Sequence, residues 1–204
     1  MSWTGRILPP SGFIAMPWKN GMGTTWEVAR ANLDRRSVVE GQSDWRLSLA
    51  AVEADAPFSS FPGYARFFCP VEGKDIGLHF AGSRETRILR THESLIFSGD
   101  EAVTCHLPEG PVRCLNLMVL RDMGTFDAGL KRGGGAVAAD VDARFFMALA
   151  LAGGLRIEMV GYPSIALAEG HAFIAEKWSS LTAERPVLHV DGDAVGFYAS
   201  IMAA

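Results

Sequence analysis

Asp44-Trp45-Arg46-Leu47-Ser48-Leu49-Ala50-Ala51-Val52 is a stretch in which large apolar residues alternate with polar or small ones. Successive side chains of a β-strand point to opposite faces, so a strand here presents Trp45, Leu47 and Leu49 on one face. The opposite face carries Arg46 and Ser48. A helix would repeat its apolar residues every three or four positions instead. The stretch therefore predicts a strand with one apolar face and one face that carries polar groups.

Outward from this stretch, short apolar segments bounded by Gly, Pro or Asp recur along the chain. Gly (22) and Pro (10) are scattered, as expected where many short strands need turns. Helical periodicity is scarce, and one short helical turn is expected within Met123–Leu130. These features predict an all-β sandwich or barrel. The expected strands are Trp26–Arg30, Asp44–Val52, Tyr64–Val71, Gly77–Phe80, Ser94–Phe97, Ala102–His106, Val112–Leu120, Phe145–Ala152, Leu155–Val160, Ser164–Ala168, His171–Ala175, Pro186–Val190 and Gly196–Met202.

A faint internal repetition divides the chain. Ser94–Asp100 and Ser164–Gly170 are each followed by a strand, a turn or loop and a returning strand, as in one edge of a cupin barrel. Lys131–Gly135 lies between the two copies and is expected to be a connecting loop. We therefore predict two stacked barrels within a single unit, 1–204. The first covers about residues 12–125 and the second about residues 136–204, with some strand exchange.

Composition and charge argue against two classes of partner. The net charge is −4, the isoelectric point is about 5.7 and no run of Lys or Arg occurs, so nucleic-acid binding is not expected. The N-terminus lacks the apolar core of a secretory signal, and the longest apolar stretch, Phe145–Leu155, is too short to span a bilayer. Three cysteines without a CxxC spacing imply neither a disulfide framework nor a zinc site. A cytoplasmic protein without membrane contact is the expectation.

Three blocks of sequence resemble a known family. The first block is PWKNGMGTTWEVA at Pro17–Ala29. The second joins WRLSLA at 45–50 to PFSSFPGY at Pro57–Tyr64, and the third runs from FSGD at 97–100 through Gly110-Pro111-Val112 to LNLM at 115–118. In this order, over about residues 14–121, the blocks are similar to the HutD/Ves family of the cupin superfamily.

The resemblance implies a bicupin fold, with two jelly-roll β-barrels of the RmlC-like kind in one chain. It also implies small-molecule binding or regulation, with a link in some bacteria to histidine utilisation, and it brings no established reaction. Two positions depart from the family pattern: Trp26 stands where Arg is common, and Ala65 stands where an acidic residue is common. Both departures raise the prospect of an altered ligand or a changed role.

Metal-dependent or nucleophilic chemistry finds little support in the sequence. A metal-binding cupin usually carries an HxH pair, whose two side chains share one strand face, but the five histidines are isolated from one another. Cys114 lies on an expected strand, where a cysteine usually acts as a small core residue. We therefore predict a metal-free protein without a cofactor.

A set of polar residues on otherwise apolar strands is the candidate ligand site, since such sites are mostly apolar cavities with a few placed polar groups. Arg46 is the most informative member because a guanidinium grips a carboxylate through two parallel hydrogen bonds. Alternatively, Arg46 forms a structural ion pair with Glu27, and Asn20 caps the following glycine-rich turn. Tyr64 and Arg66 share a strand face and either line the site or lie on the surface. The candidate ligand-binding residues are Trp18, Lys19, Asn20, Thr25, Glu27, Arg46, Ser48, Phe61, Tyr64 and Asn116.

Three functions fit these features. The leading one is a non-enzymatic binding or regulatory protein for a carboxylate metabolite, with Arg46, Asn20 and Asn116 as its main contacts; the family association suggests urocanate or a formylated glutamate. The second is a metal-independent cupin isomerase or lyase in which Glu27 acts as general base. The third is an interaction protein with a vestigial pocket. Exposed strands often pair across subunits, which leaves a homodimer open.

Overall fold

The computed structural model describes residues 3–18, 21–33, 43–178 and 184–204. Strands dominate these residues, and the one helical segment among them is a short 3-10 turn, Pro10–Gly12. The strands are β1 (Trp3–Leu8), β2 (Ile14–Pro17), β3 (Gly23–Ala31), β4 (Trp45–Val52), β5 (Ala56–Pro57), β6 (Tyr64–Glu72), β7 (Ile76–Phe80), β8 (Thr86–Leu89), β9 (Leu95–Ser98), β10 (Val103–His106), β11 (Val112–Leu120), β12 (Gly124–Arg132), β13 (Gly135–Ala138), β14 (Ala143–Ala152), β15 (Leu155–Glu158), β16 (Ile165–Leu167), β17 (Ala172–Lys177), β18 (Val187–Val190) and β19 (Val195–Ala203). The all-β prediction is confirmed.

The chain divides into two compact units. The first unit is Phe13–Met123, and the second unit combines Met1–Gly12 with Gly124–Ala204. The N-terminal strand β1 therefore belongs to the second unit, where it pairs with β17.

Each unit contains two antiparallel sheets. In the first unit the strand orders are β2-β3-β4-β11-β6-β9 and β5-β10-β7-β8. In the second unit they are β1-β17-β14-β19-β12 and β13-β18-β15-β16. These sheets are not closed barrels, because closure requires every edge strand to find a partner. Among the described strands, β8 and β9 each end a sheet of the first unit, and β12 ends the five-stranded sheet of the second.

The segment Met123–Leu130, where the sequence predicted a short helical turn, is almost entirely strand β12. Strand β12 pairs with β19 along its full length, from Gly124 opposite Ala203 to Arg132 opposite Val195. Its local pattern is weak, so tertiary pairing decides the conformation.

Each unit has its own apolar core. In the second unit the core is filled by aromatic and small residues that include Phe146, Phe173 and Ala148, all fully buried. In the first unit it gathers smaller residues from both sheets, such as Val52, Leu78 and Cys105, with Phe68 beside them. Within the described ranges, no helix is long and apolar enough to cross a bilayer.

Candidate anion-binding site

A cavity of about 690 Å³ opens in the first unit on one face of the six-stranded sheet. Small-molecule sites commonly have volumes of about 300–1,000 Å³. Its walls combine aromatic and sulfur-containing side chains with two arginines, three hydroxyls and one amide. The lining residues are Met16, Pro17, Trp18, Thr25, Arg46, Ser48, Ala50, Val52, Pro57, Phe58, Ser59, Phe61, Arg66, Phe68, Asn116 and Met118.

Strand register places the two arginines on either side of β11. Met118 of β11 lies opposite Arg46 of β4 on one side and opposite Arg66 of β6 on the other. Directly opposed residues of antiparallel strands point to the same face, so both guanidinium groups project to the cavity side. Ser48 and Asn116 are opposed in the same ladder two residues away. The alternation of each strand therefore concentrates the polar groups on one face.

Arg66 is a buried cation without a carboxylate partner. Only 6% of the residue is exposed, and among the described residues no Asp or Glu forms an ion pair with it. Its Nη2 donates a hydrogen bond to Oδ1 of Asn116 at 2.9 Å. Burial, together with the nearby charge of Arg46, lowers the pKa of Arg66 to about 10. A lowered arginine pKa means that the surroundings disfavour the charged form, and a bound anion would relieve that cost.

Aromatic rings enclose the Arg66 guanidinium. Its central carbon lies 4.9 Å from the ring centroid of Phe97, 5.4 Å from that of Phe58 and 5.5 Å from that of Phe61. Such contacts stabilise a cation by about 0.5–2 kcal/mol each and fix its plane. They do not neutralise its charge, so the cation remains able to pair with an anion.

Arg46 is better compensated than Arg66. Burial lowers the pKa of Arg46 and nearby Arg30 lowers it further, while the carboxylate of Glu27 acts in the opposite direction. Glu27 itself is buried and forms an ion pair with Arg30, whose Nε lies 3.2 Å from Oε1. The Arg46 guanidinium also lies 5.6 Å from the Phe61 centroid. Of the two cavity arginines, Arg66 therefore has the charge that is less compensated by nearby carboxylates.

The terminal nitrogens of both arginines keep donor capacity. The Nε atoms of Arg46 and Arg66 are buried without a hydrogen-bond partner in the described structure, so a ligand does not reach them. Among the described residues, Asn116 is the one acceptor recorded for the terminal nitrogens of Arg66. The remaining terminal N–H groups are available to a carboxylate, which accepts hydrogen bonds through both oxygens.

The wall that carries Phe58 and Phe61 is fixed by backbone hydrogen bonds. The Phe58 N–H donates to the Val103 carbonyl at 2.8 Å, and the Phe61 N–H donates to the Gly99 carbonyl at 2.9 Å. A Cβ at residue 99 would lie 2.2 Å from the Phe61 carbonyl oxygen, so only glycine permits this approach. The two rings are thus held in place next to the arginines.

The opposite wall is set by Trp18 and the start of β3. The Trp18 indole N–H donates to Oγ1 of Thr25 at 2.9 Å, which orients the indole at the cavity. Met16 and Pro17 of β2 line the same side. This wall supplies apolar surface for the body of a ligand.

The ten residues predicted from the sequence fall into three groups. Glu27 and Tyr64 do not line the cavity: Glu27 pairs with Arg30, and the Tyr64 hydroxyl donates to the Ser43 carbonyl at 2.6 Å. Lys19 and Asn20 lie outside the described residues. The six that line the cavity are Trp18, Thr25, Arg46, Ser48, Phe61 and Asn116.

Arg66 is the most important residue absent from that predicted set. The alternation of Tyr64, Arg66 and Phe68 along β6 was the available signal, but it did not distinguish a cavity wall from the surface. Strand register decides the position of Arg66, because it places Arg66 opposite Met118. Register depends on both paired strands and cannot be predicted from the sequence of β6 alone.

The two departures from the family pattern lie away from the cavity. Trp26 follows Thr25 on β3 and so points to the opposite face, where Arg113 lies 5.5 Å from its ring centroid. Ala65 precedes Arg66 on β6 and likewise faces away from the cavity. Neither residue lines the cavity, so neither departure alters its walls.

Metal ions require particular sets of ligand side chains. No group of three or more His, Cys, Asp or Glu side chains in the described part of the chain could hold a metal ion. Burial raises the pKa of the Cys114 thiol well above its usual range, which keeps it protonated and a poor nucleophile.

Comparisons with known proteins identify relatives. A family model described as HutD matches residues 11–189. Over 113 residues the chain is 35% identical to an uncharacterized 21.2 kDa protein in the hutC 3′ region of Pseudomonas putida, covering 55% of this chain and 57% of that protein. Over 106 residues it is 33% identical to protein Ves of Citrobacter koseri, covering 52% of each. These matches span only about half the length of either relative.

The fold has a full-length counterpart among solved structures. A conserved protein of unknown function from Pseudomonas aeruginosa superimposes with a TM-score of 0.84 at 30% identity, covering 98% of this chain and 99% of that one. Two more distant solved structures from Escherichia coli, protein Ylba at 8% identity and YhhW at 9%, share the fold with TM-scores of 0.66 and 0.64.

Proposed function

The chain belongs to the HutD family, and we propose that it binds a small carboxylate-bearing metabolite in the cavity of its first unit. The observation that carries the proposal is Arg66: a buried guanidinium with no described carboxylate partner, beside a second arginine, at the wall of a cavity. An uncompensated buried charge costs stability. Anion binding would explain why the protein keeps a buried arginine that lowers its stability.

The chemistry of the walls defines the ligand further. Arg66 provides the principal contact to the carboxylate, and Arg46 adds a weaker one because Glu27 already compensates it in part. Ser48 and Asn116 supply hydrogen-bonding groups between the arginines, and the rings of Trp18, Phe58 and Phe61 cover an apolar or planar body. The ligand is therefore an acid with an unsaturated or otherwise apolar part.

Histidine-breakdown acids are the first ligands to test. One relative is named for its position in the hutC 3′ region of P. putida, and the family resemblance carries the same association. We include urocanate and formylated glutamate among the candidates on this basis. We also propose that the two units form a bicupin, with the ligand site in the first unit alone.

A structural role for Arg66 is the alternative explanation, since three rings and Asn116 already hold it. A thermal-shift screen against histidine-pathway acids and other small carboxylates separates the two explanations, because a ligand that binds only the folded state raises the melting temperature. The proposal expects a concentration-dependent shift with at least one acid, and no shift in Arg66→Met at the same concentration. The matched control is Arg144→Met in the second unit, which should keep the full shift.

Two results would reject the proposal. One is the absence of a shift with every acid, and the other is an undiminished shift in Arg66→Met. We favour binding over the enzymatic alternative, because the Glu27 carboxylate pairs with Arg30 and is not part of the cavity wall.

A further inference from the structure

Strand β12 is a long edge in the second unit. Its nine residues, Gly124–Arg132, pair with β19 alone and without any register shift. At about 3.3 Å per residue the strand is roughly 30 Å long. No further backbone hydrogen bond joins Gly124–Lys131 to another described residue. Natural proteins protect such an edge with a proline, a bulge, a short strand or charged side chains, and of these devices β12 has only the charges.

Two of the charged residues of β12 lie symmetrically about Gly129. Asp127 lies two residues before Gly129, and Lys131 lies two residues after it. Residues separated by two or four positions share a strand face, so the two charges lie on the same face. Within the described ranges, neither side chain forms an ion pair with another residue.

We propose that β12 pairs antiparallel with β12 of a second copy of this chain, about a two-fold axis at Gly129. In that register Asp127 lies opposite Lys131 of the second copy, and Lys131 lies opposite its Asp127. Ala128 and Leu130 of the two copies are opposed on the other face. A symmetric interface makes every such contact twice.

Charge selects this register over its neighbours. Sliding the two strands by four residues in one direction places Asp127 opposite the second Asp127, and sliding in the other direction places Lys131 opposite the second Lys131. Like charges directly opposed on a sheet are destabilising. A slide of two residues leaves each charge opposite a neutral residue. Only the register centred on Gly129 opposes both charges to their opposites.

The crossing point is a glycine that the paired strand β19 requires. A Cβ at residue 129 would lie 2.8 Å from the Tyr198 hydroxyl oxygen, because the Tyr198 ring covers this glycine from the paired strand β19. The missing Cβ of Gly129 thus makes room for the Tyr198 ring on this face of the strand. Aromatic cover of a strand glycine also stabilises the strand on which pairing depends.

Pairing of single strands buries a modest area, so the dimer is expected to dissociate on dilution. Sedimentation velocity over a wide concentration range measures the dissociation constant, and the charge pairs make it weaken with added salt. Lys131→Asp replaces two attractive contacts per dimer with two repulsive ones and should weaken association by at least about tenfold. The exchange Asp127→Lys with Lys131→Asp restores both pairs and should restore the wild-type constant.

Arg87→Glu is the matched control, because Arg87 is an exposed arginine on β8, the edge strand of a sheet in the first unit. This change should leave the dissociation constant unaltered. Thermal melting verifies that each variant is folded. The proposal is overturned if the wild type is monomeric at every concentration, if Lys131→Asp associates like the wild type, if the charge exchange fails to restore association, or if Arg87→Glu is the change that abolishes it.

Discussion

The central strands of the two larger sheets carry different side chains on their inner faces. In the second unit β14 presents Phe146, Ala148 and Ala150, which are fully buried in an apolar core. In the first unit β11 presents Asn116 and Met118 to a cavity.

The strands beside them differ in the same way. Phe173 of β17 is fully buried in the second unit, whereas Arg46 and Arg66 flank β11 in the first. The same two-sheet architecture thus contains an apolar core in one unit and a cavity in the other. The residues at a few inward-facing positions determine which of the two forms.

The difference shows how stability and binding are divided in this chain. A filled apolar interior contributes the transfer free energy of its side chains, about 1.5–3 kcal/mol for a large one. A buried Arg66 has the opposite effect, because burial disfavours its charged form. The first unit therefore gives up stability at the site where we propose that it binds an anion.

The largest expected effect comes from opening the filled interior. Phe146→Ala should lower the free energy of unfolding by about 3–5 kcal/mol, since a fully buried ring leaves a cavity behind. Urea unfolding measures the loss. Carboxylate affinity of the folded variant, measured by calorimetry, should be unchanged; a tenfold loss of affinity would show that the two interiors are not independent.

The next largest effect is the loss of carboxylate affinity when either cavity arginine is replaced, and it should differ between the two. Arg66→Met should weaken carboxylate binding about 100-fold, the equivalent of a charge-assisted contact worth roughly 3 kcal/mol. Arg46→Met should weaken it only about tenfold, because Glu27 already offsets part of its charge. Calorimetric titration of both variants gives the ranking, and a reversed order would transfer the principal role to Arg46.

Alkaline pH should abolish binding through the same group. The pKa of Arg66 is lowered to about 10 in the unliganded protein, so the guanidinium loses its proton as the pH rises through that value. Affinity for a carboxylate should therefore be constant at neutral pH and fall above about 10. Titrations across this range test the prediction, and a profile that stays flat above about pH 10 would contradict it.

The stability of the wild type should have the opposite dependence on pH. The folded protein binds fewer protons at Arg66 than the unfolded chain between about 10 and the usual arginine pKa, so this group's destabilising effect diminishes as the pH rises. Urea unfolding of the wild type and Arg66→Met across that range isolates the contribution. The rise in the free energy of unfolding with pH that Arg66 causes should be absent in Arg66→Met.

The smallest expected effect concerns Asp100, an exposed carboxylate that accepts several hydrogen bonds near Phe61. Asp100 accepts hydrogen bonds from Arg121 and Ser98 and from the Gly63 N–H, and these hold the pKa of its carboxyl at about 2. Its stabilising contribution is complete above the usual aspartate pKa and is lost as the pH falls through about 2. Asp100→Asn should therefore melt slightly lower at neutral pH and show a shallower loss toward acid. An identical acid profile would show that the network contributes nothing.

The sequence predicted the strands better than it predicted their pairing. Alternation in Trp45–Val52 correctly placed Arg46 and Ser48 on one face, since that face depends only on local geometry. Arg66 was left undecided because its environment depends on rings from two other segments, the one that carries Phe58 and Phe61 and strand β9 with Phe97.

The misassigned β12 has the same physical origin. Gly129 and the mixed polarity of Gly124–Arg132 give a weak local preference, and strand structure there comes from nine pairings with β19. For a related reason the sequence does not show that the sheets stay open, because closure depends on which edge strands find partners.

The most direct test of the central claim locates the ligand with methionine methyl groups. Met16 and Met118 line the cavity of the first unit, whereas Met147 and Met159 are buried in the second. Protein labelled at its methionine methyls is titrated with the acid that gives the largest thermal shift, and NMR chemical shifts are followed. We predict saturable changes at Met16 and Met118 with Met147 and Met159 unmoved. Changes confined to Met147 and Met159, or none at any of the four, would contradict the assignment of anion binding to the first unit.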